Sequence, residues 1–167
     1  MNKIFFFDDF MKFVKKKKGV ALDLASGSGD YSKVIARSNW FVESIDLSKK
    51  FEYSELLDIK INIIDLEKNL ISTEEKLIHK RYDLIIMFRF LHRPLFKLIP
   101  KLLKKNGQFF CETFMIKNNV GKLNTKKFML KENELLKLNK NSLTLNKFYQ
   151  GPNFNQQYLI QSAIFRN

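Results

Sequence analysis

Short apolar runs alternate with amphipathic stretches almost from one end of the chain to the other. Residues 20–25, 41–46, 61–66, 82–88 and 108–114 are dominated by Val, Ile, Leu and Phe and carry few polar positions. Runs of that length and composition suit strands covered on both faces, as in a parallel sheet. Amphipathic segments fill the gaps. Residues 29–38 follow a tight turn and open on Gly29 and Asp30, residues 94–105 open on Pro94, which suits a first helical turn, and residues 131–139 begin with acids that favour a helix N-terminus. Two further strands, near 142–149 and 157–165, are separated only by a short link holding Gly151, Pro152 and Asn153. A parallel crossover needs roughly a dozen residues or more, so this link predicts an antiparallel hairpin. The pattern therefore predicts an α/β fold, a doubly wound, mostly parallel seven-stranded sheet with a C-terminal antiparallel hairpin. The segment 115–130 is long for a connection and carries Lys117, Lys122, Lys126 and Lys127. Loops of that length are usually functional or mobile.

At 167 residues and 19.9 kDa, the chain is expected to form a single domain over 1–167, with binding and chemistry sharing one core. Hydrophobic residues make up 45% and charged residues 28%, a balance that excludes a disordered or fibrous protein. The one cysteine, Cys111, excludes an intramolecular disulfide framework and a zinc site of several thiolates, and it fits a reducing compartment. No metal is expected. No apolar run approaches the roughly 18 residues that cross a bilayer. The opening MNKIFFFDDFMKF places Asp8 and Asp9 inside its apolar stretch and lacks a small-residue cleavage site, so it does not read as a signal peptide. A cytoplasmic protein with no membrane partner is expected. Thirty Lys and Arg against 17 Asp and Glu give +13, which brings anionic substrates and nucleic acid into consideration. Between Lys97 and Lys147 there are 12 lysines against only Glu112, Glu132 and Glu134. Lys dominates over Arg, however, and planar bidentate phosphate recognition favours Arg, so nucleic acid is not the favoured partner.

The candidate chemistry lies after the first strand, where Val20-Ala21-Leu22-Asp23-Leu24 runs into Ala25-Ser26-Gly27-Ser28-Gly29-Asp30. The glycines let backbone approach a ligand that a Cβ would exclude. In an open α/β sheet such a ligand lies beyond the carboxyl ends of the strands, where the strand order reverses. Asp23 places a carboxylate where a cationic ligand group would be held, whereas a dinucleotide needs its pyrophosphate there and would be repelled. The third glycine of G-x-G-x-x-G is also missing, Ser32 standing in its place. Asp46 ends the second strand 17 residues beyond Gly29, suited to gripping ribose hydroxyls, with Leu47 beside it. The third strand ends in Asp65 and Leu66, a carboxylate for an adenine amino group and an apolar side chain for its face. No G-K-S/T phosphate loop is present, so an ATPase reading fails.

This set of residues resembles the class I S-adenosylmethionine-dependent methyltransferases. The resemblance rests on the D-x-x-x-G-x-G spacing of Asp23, Gly27 and Gly29, the three acids on successive strands, the terminal hairpin, and the segments YDLIIMFRFLHRPLF and LLKKNGQFFCETF. Those two segments are similar to a subgroup of small bacterial methyltransferases of the tellurite-resistance type. The resemblance implies S-adenosylmethionine as cofactor, with Asp23, Ala25, Ser26, Gly27 and Gly29 holding its methionine part. It implies further that Asp46 holds the ribose and Asp65, with Leu66, the adenine, and that Leu47, Phe88 and Arg89 complete the site. The chain departs from the family at Ala25, where a glycine is usual, a change tolerated unless that backbone takes a positive φ. It departs again at Lys105-Asn106-Gly107, which replaces a proline-containing turn, and in the short stretch before the first strand.

Methyl transfer from a sulfonium is an in-line displacement in which the cofactor brings the reactivity and the protein aligns the nucleophile. The cluster Arg89-Phe90-Leu91-His92-Arg93 follows the fourth strand and supplies the catalytic candidates. Arg89 is suited to a carboxylate or an anionic substrate, and His92 to accepting a proton near neutral pH. Structural roles compete: His92 capping the helix near Pro94, Arg93 anchoring it to a carboxylate, and Glu112 pairing with Arg89 or Arg93 rather than lining an acceptor pocket with Thr113. Cys111 reads as a small packed hydrophobe and His79 as sitting on an exposed helix. Phe5, Phe6, Phe7, Phe10 and Phe13 fit either a cover over the cleft or an apolar helix on the sheet. The favoured function is methyl transfer to a small-molecule acceptor. The alternatives are an RNA or DNA methyltransferase using the Lys-rich half and a cofactor-binding module without catalysis, with an NAD-dependent enzyme behind them. The sequence F-R-F-L at 88–91, in place of an N-P-P-Y-like motif, disfavours methylation of an adenine amino group. Nothing in the sequence indicates the oligomeric state.

Overall fold

The parallel core forms where the apolar runs predict it. In a computed structural model of the chain, describing residues 3–48, 57–68, 70–77, 79–116, 128–138 and 142–167, the first four strands are β1 (Val20–Leu24), β2 (Phe41–Asp46), β3 (Ile59–Ile63) and β4 (Tyr82–Phe88). The last three are β5 (Leu103–Phe114), β6 (Thr144–Pro152) and β7 (Leu159–Arg166). They join in one sheet of order β3-β2-β1-β4-β5-β7-β6. β1 to β5 run parallel, and β7 lies between β5 and β6, antiparallel to both. The strand order reverses between β1 and β4, which opens a crevice at their carboxyl ends.

Helices cover both faces. On one side α1 (Phe7–Lys16) and α2 (Asp30–Ala36) bury Phe10, Val14, Tyr31 and Ile35 against Ala21, Val42, Leu84, Ile86 and Phe110. On the other, α3 (Leu70–Leu77), α4 (Leu95–Leu102) and α5 (Glu134–Leu138) pack on Leu22, Leu24, Ile85, Met87, Phe109 and Cys111. Successive residues of one strand therefore feed opposite cores, which explains why the runs carry so few polar positions. The N-terminal phenylalanines do not all lie in one helix. Phe10 is fully buried in a helix packed edge-on to Tyr31, Phe88 and Phe110, whereas Phe5 precedes the helix and stacks on Tyr149. The lone tryptophan, Trp40, is 1% exposed, and its indole Nε1–H donates to the Val14 carbonyl at 2.9 Å, locking α1 to the start of β2.

Element boundaries differ from the sequence expectations for local reasons. β3 occupies 59–63 rather than 61–66, because the Asp65 carboxylate accepts the N–H groups of Glu67 and Lys68 and folds that stretch into a turn. The helix expected over 94–105 stops at Leu102. Leu103 is already extended and begins β5, and a bulge between Tyr82 and Leu84 absorbs the irregular stretch that holds Asn106 at φ +65°. The helix expected over 131–139 is only Glu134–Leu138, since Asn133 takes φ +54° and Glu134 caps back onto the Lys131 N–H. Where an exposed helix was expected only around His79, α3 ends at Leu77 and His79 lies beyond it in a turn, exposed; among the described side chains of α3 only Thr73 and Leu77 are buried. Of the long lysine-bearing connection, residues 117–127 lie outside the described residues, and its ends meet where Met115 bridges Leu130.

One polar knot sits under the amino ends of the strands. The Glu43 carboxylate is 3% exposed and accepts hydrogen bonds from Tyr82 Oη at 2.7 Å, Lys80 Nζ at 2.6 Å and Asn62 Nδ2 at 3.0 Å. Burial alone would raise its pKa, but the bonds from Lys80, Tyr82 and Asn62 hold it below the usual carboxylate range. Replacing Tyr82 with Phe removes one donor from a buried anion, so Tyr82→Phe is expected to lose about 1–3 kcal/mol of stability in urea unfolding. A change within a few tenths of a kcal/mol would show that Lys80 and Asn62 suffice.

Candidate active site

The turn after β1 folds as a ligand cradle. Ala25, Gly27 and Gly29 all take positive φ, at +60°, +55° and +70°. The loop is held from β2: Ser26 N–H donates to the Ile45 carbonyl at 3.1 Å and Gly27 N–H to Asp46 Oδ2 at 2.9 Å. A Cβ built on Gly27 meets nothing within 4 Å, so that side of the turn faces open space. Ser26 Oγ is buried without a hydrogen-bond partner among the described residues, which is uncommon for a buried polar atom and marks a position for a ligand group. With Asp23, Asp46, Tyr31, Phe88 and Arg89, the turn encloses a cavity of about 280 Å³.

Asp23 is 3% exposed and belongs to the sheet face under α2. Its Oδ2 accepts a 2.6 Å hydrogen bond from the Ser32 hydroxyl, which lies 2.7 Å from Ser44 Oγ on β2. Ser32 thus does more than mark a missing glycine. It ties β1, β2 and α2 together through the acid. Burial raises the Asp23 pKa to about 7, opposed by the Ser32 bond and reinforced by the charge of Asp46.

The remaining predicted positions fall into three groups. Asp46, 8% exposed, faces the turn, and Leu47 beside it is 64% exposed, an apolar surface with no cover among the described residues. Asp65 and Leu66 do not line the cavity: the Asp65 carboxylate serves the turn after β3, and Leu66 is 4% exposed within the core. At the end of β4, Arg89 is exposed at φ +56° with its N–H on the Glu112 carbonyl at 2.7 Å, and it borders two cavities at once. His92 lines neither; its carbonyl accepts the Leu95 N–H where α4 begins. Arg93 is the helix anchor, paired with Glu134, whose Oε2 lies 3.0 Å from Nη2.

The second cavity, of about 490 Å³, adjoins the first across Arg89 and is lined by Glu112 and Thr113 of β5 and by the 153–158 turn. Glu112 does not anchor to Arg93. It is 5% exposed and accepts the Phe5 N–H at 2.6 Å, while the neighbouring Ile4 N–H donates to Tyr31 Oη at 2.9 Å. Burial pushes the Glu112 pKa up, against bonds from Phe5 and Ser162 and the charge of Arg89. Residues 4 and 5 therefore form a strap that touches a lining residue of each cavity. Sequence reasoning missed Ser32, Tyr31 and this strap. A hydroxyl nine residues after a buried acid is a usable signal for Ser32, but none existed for a bond made by backbone amides.

Two changes test this geometry. Ala25→Gly removes a Cβ from a left-handed residue and is expected to raise stability by about 0.5–1 kcal/mol, the reverse of an ordinary Ala→Gly change; a loss would mean that no strain resides there. Asp23 holds its proton more tightly folded than unfolded, so its contribution to stability is full below its unfolded pKa near 3.8 and is lost as the pH rises through about 7. The stability of Asp23→Asn relative to the wild type should therefore climb between pH 5 and 7, by at most about 1.4 kcal/mol per unit, in urea titrations at several pH values. A difference independent of pH would refute the buried-acid account.

Comparison with known proteins gives a fold and no closer kinship. No protein-family model matches the chain, and no curated protein matches it either. Among solved structures, TehB from Haemophilus influenzae superposes with TM-score 0.73 at 18% identity over 96% of this chain, which spans 60% of the length of TehB. The 1,6-didemethyltoxoflavin-N1-methyltransferase of Burkholderia thailandensis, solved with 1,6-didemethyltoxoflavin and S-adenosylhomocysteine, gives 0.67 at 17% identity over 94% of this chain and 77% of that one. The N-methyltransferase NodS from Bradyrhizobium japonicum WM9, with S-adenosyl-L-homocysteine, gives 0.69 at 13% identity over 97% and 87%. The chain has the Rossmann-like fold of the S-adenosylmethionine-dependent methyltransferases.

Proposed function

We propose that the chain is an S-adenosylmethionine-dependent methyltransferase that methylates a small molecule. The observation that carries this reading is the turn at 25–29, with its open Gly27 and the unpartnered buried Ser26 Oγ, set between the carboxylates of Asp23 and Asp46. Hydroxyl, backbone amides and two acids form a donor and acceptor set suited to an amino acid joined to a ribose. The solved neighbours NodS and the Burkholderia enzyme hold S-adenosylhomocysteine on the same fold, which supports the choice of cofactor.

The residues would divide the work as follows. Asp23 and Ser26, with the amides of the turn, hold the methionine end, and Asp46 holds the ribose hydroxyls. Leu47 offers the adenine an apolar surface, a role that the buried Leu66 does not share, while the Asp65 carboxylate is engaged by the Glu67 and Lys68 amides and the Lys68 ammonium. The cofactor supplies a methyl group on a cationic sulfur, ready for displacement without a metal or an acid. The protein's task is then alignment and exclusion of water. Phe88 and Tyr31, with ring centroids 4.6 Å apart, wall one side of the cavity. Arg89, between the two cavities, orients the acceptor. His92 is absent from both linings and is given no proton to carry. The nucleic-acid reading is weakened because Lys101, Lys104 and Lys147 are paired with Glu74, Asp83 and Asp9.

Calorimetric titration with S-adenosylhomocysteine, with NADH as control, tests the reading. Wild type should bind the sulfur ligand and not NADH, and Asp46→Ala should weaken binding about 10- to 100-fold, the loss expected for hydrogen bonds to a charged group. Because the ligand ammonium favours ionised Asp23, affinity should fall by up to about tenfold per unit as the pH drops below 7. Binding of NADH alone, or indifference to Asp46→Ala, overturns the assignment.

A further inference from the structure

The larger cavity has a chemistry of its own. Two cations, Lys3 and Arg89, line it, and among the described residues its one acidic lining residue is Glu112. That carboxyl is 5% exposed and already accepts the Phe5 amide and the Ser162 hydroxyl, so it offers little to a cationic ligand. The rest of the lining supplies amides from Asn155 and Gln157 and rings from Phe114, Phe154 and Tyr158. Phe154 and Tyr158 are 62% and 56% exposed, large apolar surfaces that a chain ordinarily covers. They are held in place by Asn153, whose Oδ1 accepts the N–H groups of Gln157 and Tyr158. Behind them Phe5 stacks on Tyr149, with centroids 3.5 Å apart, and on Phe154 at 5.6 Å, which stiffens the aromatic wall. A volume of about 490 Å³ is ample for one small ring system.

We propose that this cavity is the acceptor site and that it takes a small planar aromatic molecule bearing a carboxylate, the carboxylate meeting Arg89 and Lys3 and the ring lying against Phe154 and Tyr158. The proposal rests on the methyltransferase reading for the word acceptor, since Arg89 borders the cofactor cavity as well. The binding chemistry stands on the lining alone. Guanidinium and ammonium groups at a half-open site favour an anion and disfavour an amine by direct repulsion. The selectivity is therefore by charge first and by ring shape second.

The test uses three probes with one ring, 4-hydroxybenzoate, 4-hydroxybenzamide and 4-hydroxybenzylamine, titrated by calorimetry with and without saturating S-adenosylhomocysteine. The carboxylate should bind about tenfold or more tightly than the amide, with the amine weakest. Lys3→Gln should weaken the carboxylate roughly three- to tenfold and leave the amide and S-adenosylhomocysteine unaffected, whereas Tyr158→Ala should weaken the carboxylate and the amide alike. Equal binding of carboxylate and amide, tighter binding of the amine, or no binding of any probe at millimolar concentration overturns the proposal. Failure of the cofactor reading is distinguishable. If S-adenosylhomocysteine does not bind and the carboxylate still binds through Lys3, the site stands and the methyltransferase assignment falls.

Discussion

A carboxyl group removed from water beneath a turn of backbone sets the terms for the carboxyl edge of this sheet. Asp23 is 3% exposed where β1, β2 and α2 meet, and an isolated charge there is costly. The Ser32 hydroxyl offsets part of that cost, and Ser44 extends the link to the neighbouring strand. What remains is a group near the midpoint of its titration at neutral pH, with a second acid, Asp46, raising its pKa further. Such a pair stores a demand for positive charge. A ligand that brings an ammonium to the turn would satisfy it.

Alternation along the strands explains why two cavities share one side of the sheet. Asp23 shares its face with Ala21, and Glu112 with Phe110, and both faces turn toward α1 and α2. The chain entering α1 crosses above both. Its consecutive amides at Ile4 and Phe5 bond to Tyr31 at one cavity and to Glu112 at the other. Two hydrogen bonds from adjacent residues thus seat this segment over the junction.

Much of this arrangement was legible in the sequence, and the divisions are physical. Strands buried on both faces leave an unbroken apolar run, so β1, β2 and β4 could be read nearly to the residue, and the short link dictated the antiparallel ending, although it lies at 153–158 because β6 continues through Gly151 and Pro152. The ends of β3 and β5 were not legible, because Asp65 and Asn106 stop or bend the chain through local turns that an apolar count cannot register. At the site, Asp23, Asp46 and the glycines stood out because their chemistry is carried by residue type and spacing. Leu66 was misleading: an apolar residue after a strand reads alike whether it faces a ligand or, as here at 4% exposure, the core. The second cavity depends on Lys3, Arg89 and the 153–158 turn, which lie far apart in sequence, and no periodicity links them.

The bond from Trp40 to the Val14 carbonyl has an optical consequence. The chain has one tryptophan, and its indole lies in the seam between α1 and the sheet, with the Phe13 ring centroid 5.9 Å away. Indole fluorescence from this protein therefore originates at a single, water-shielded point just before β2, against the helix that follows the strap. The emission colour of the native chain is a built-in gauge of whether that helix is docked, readable without any attached dye.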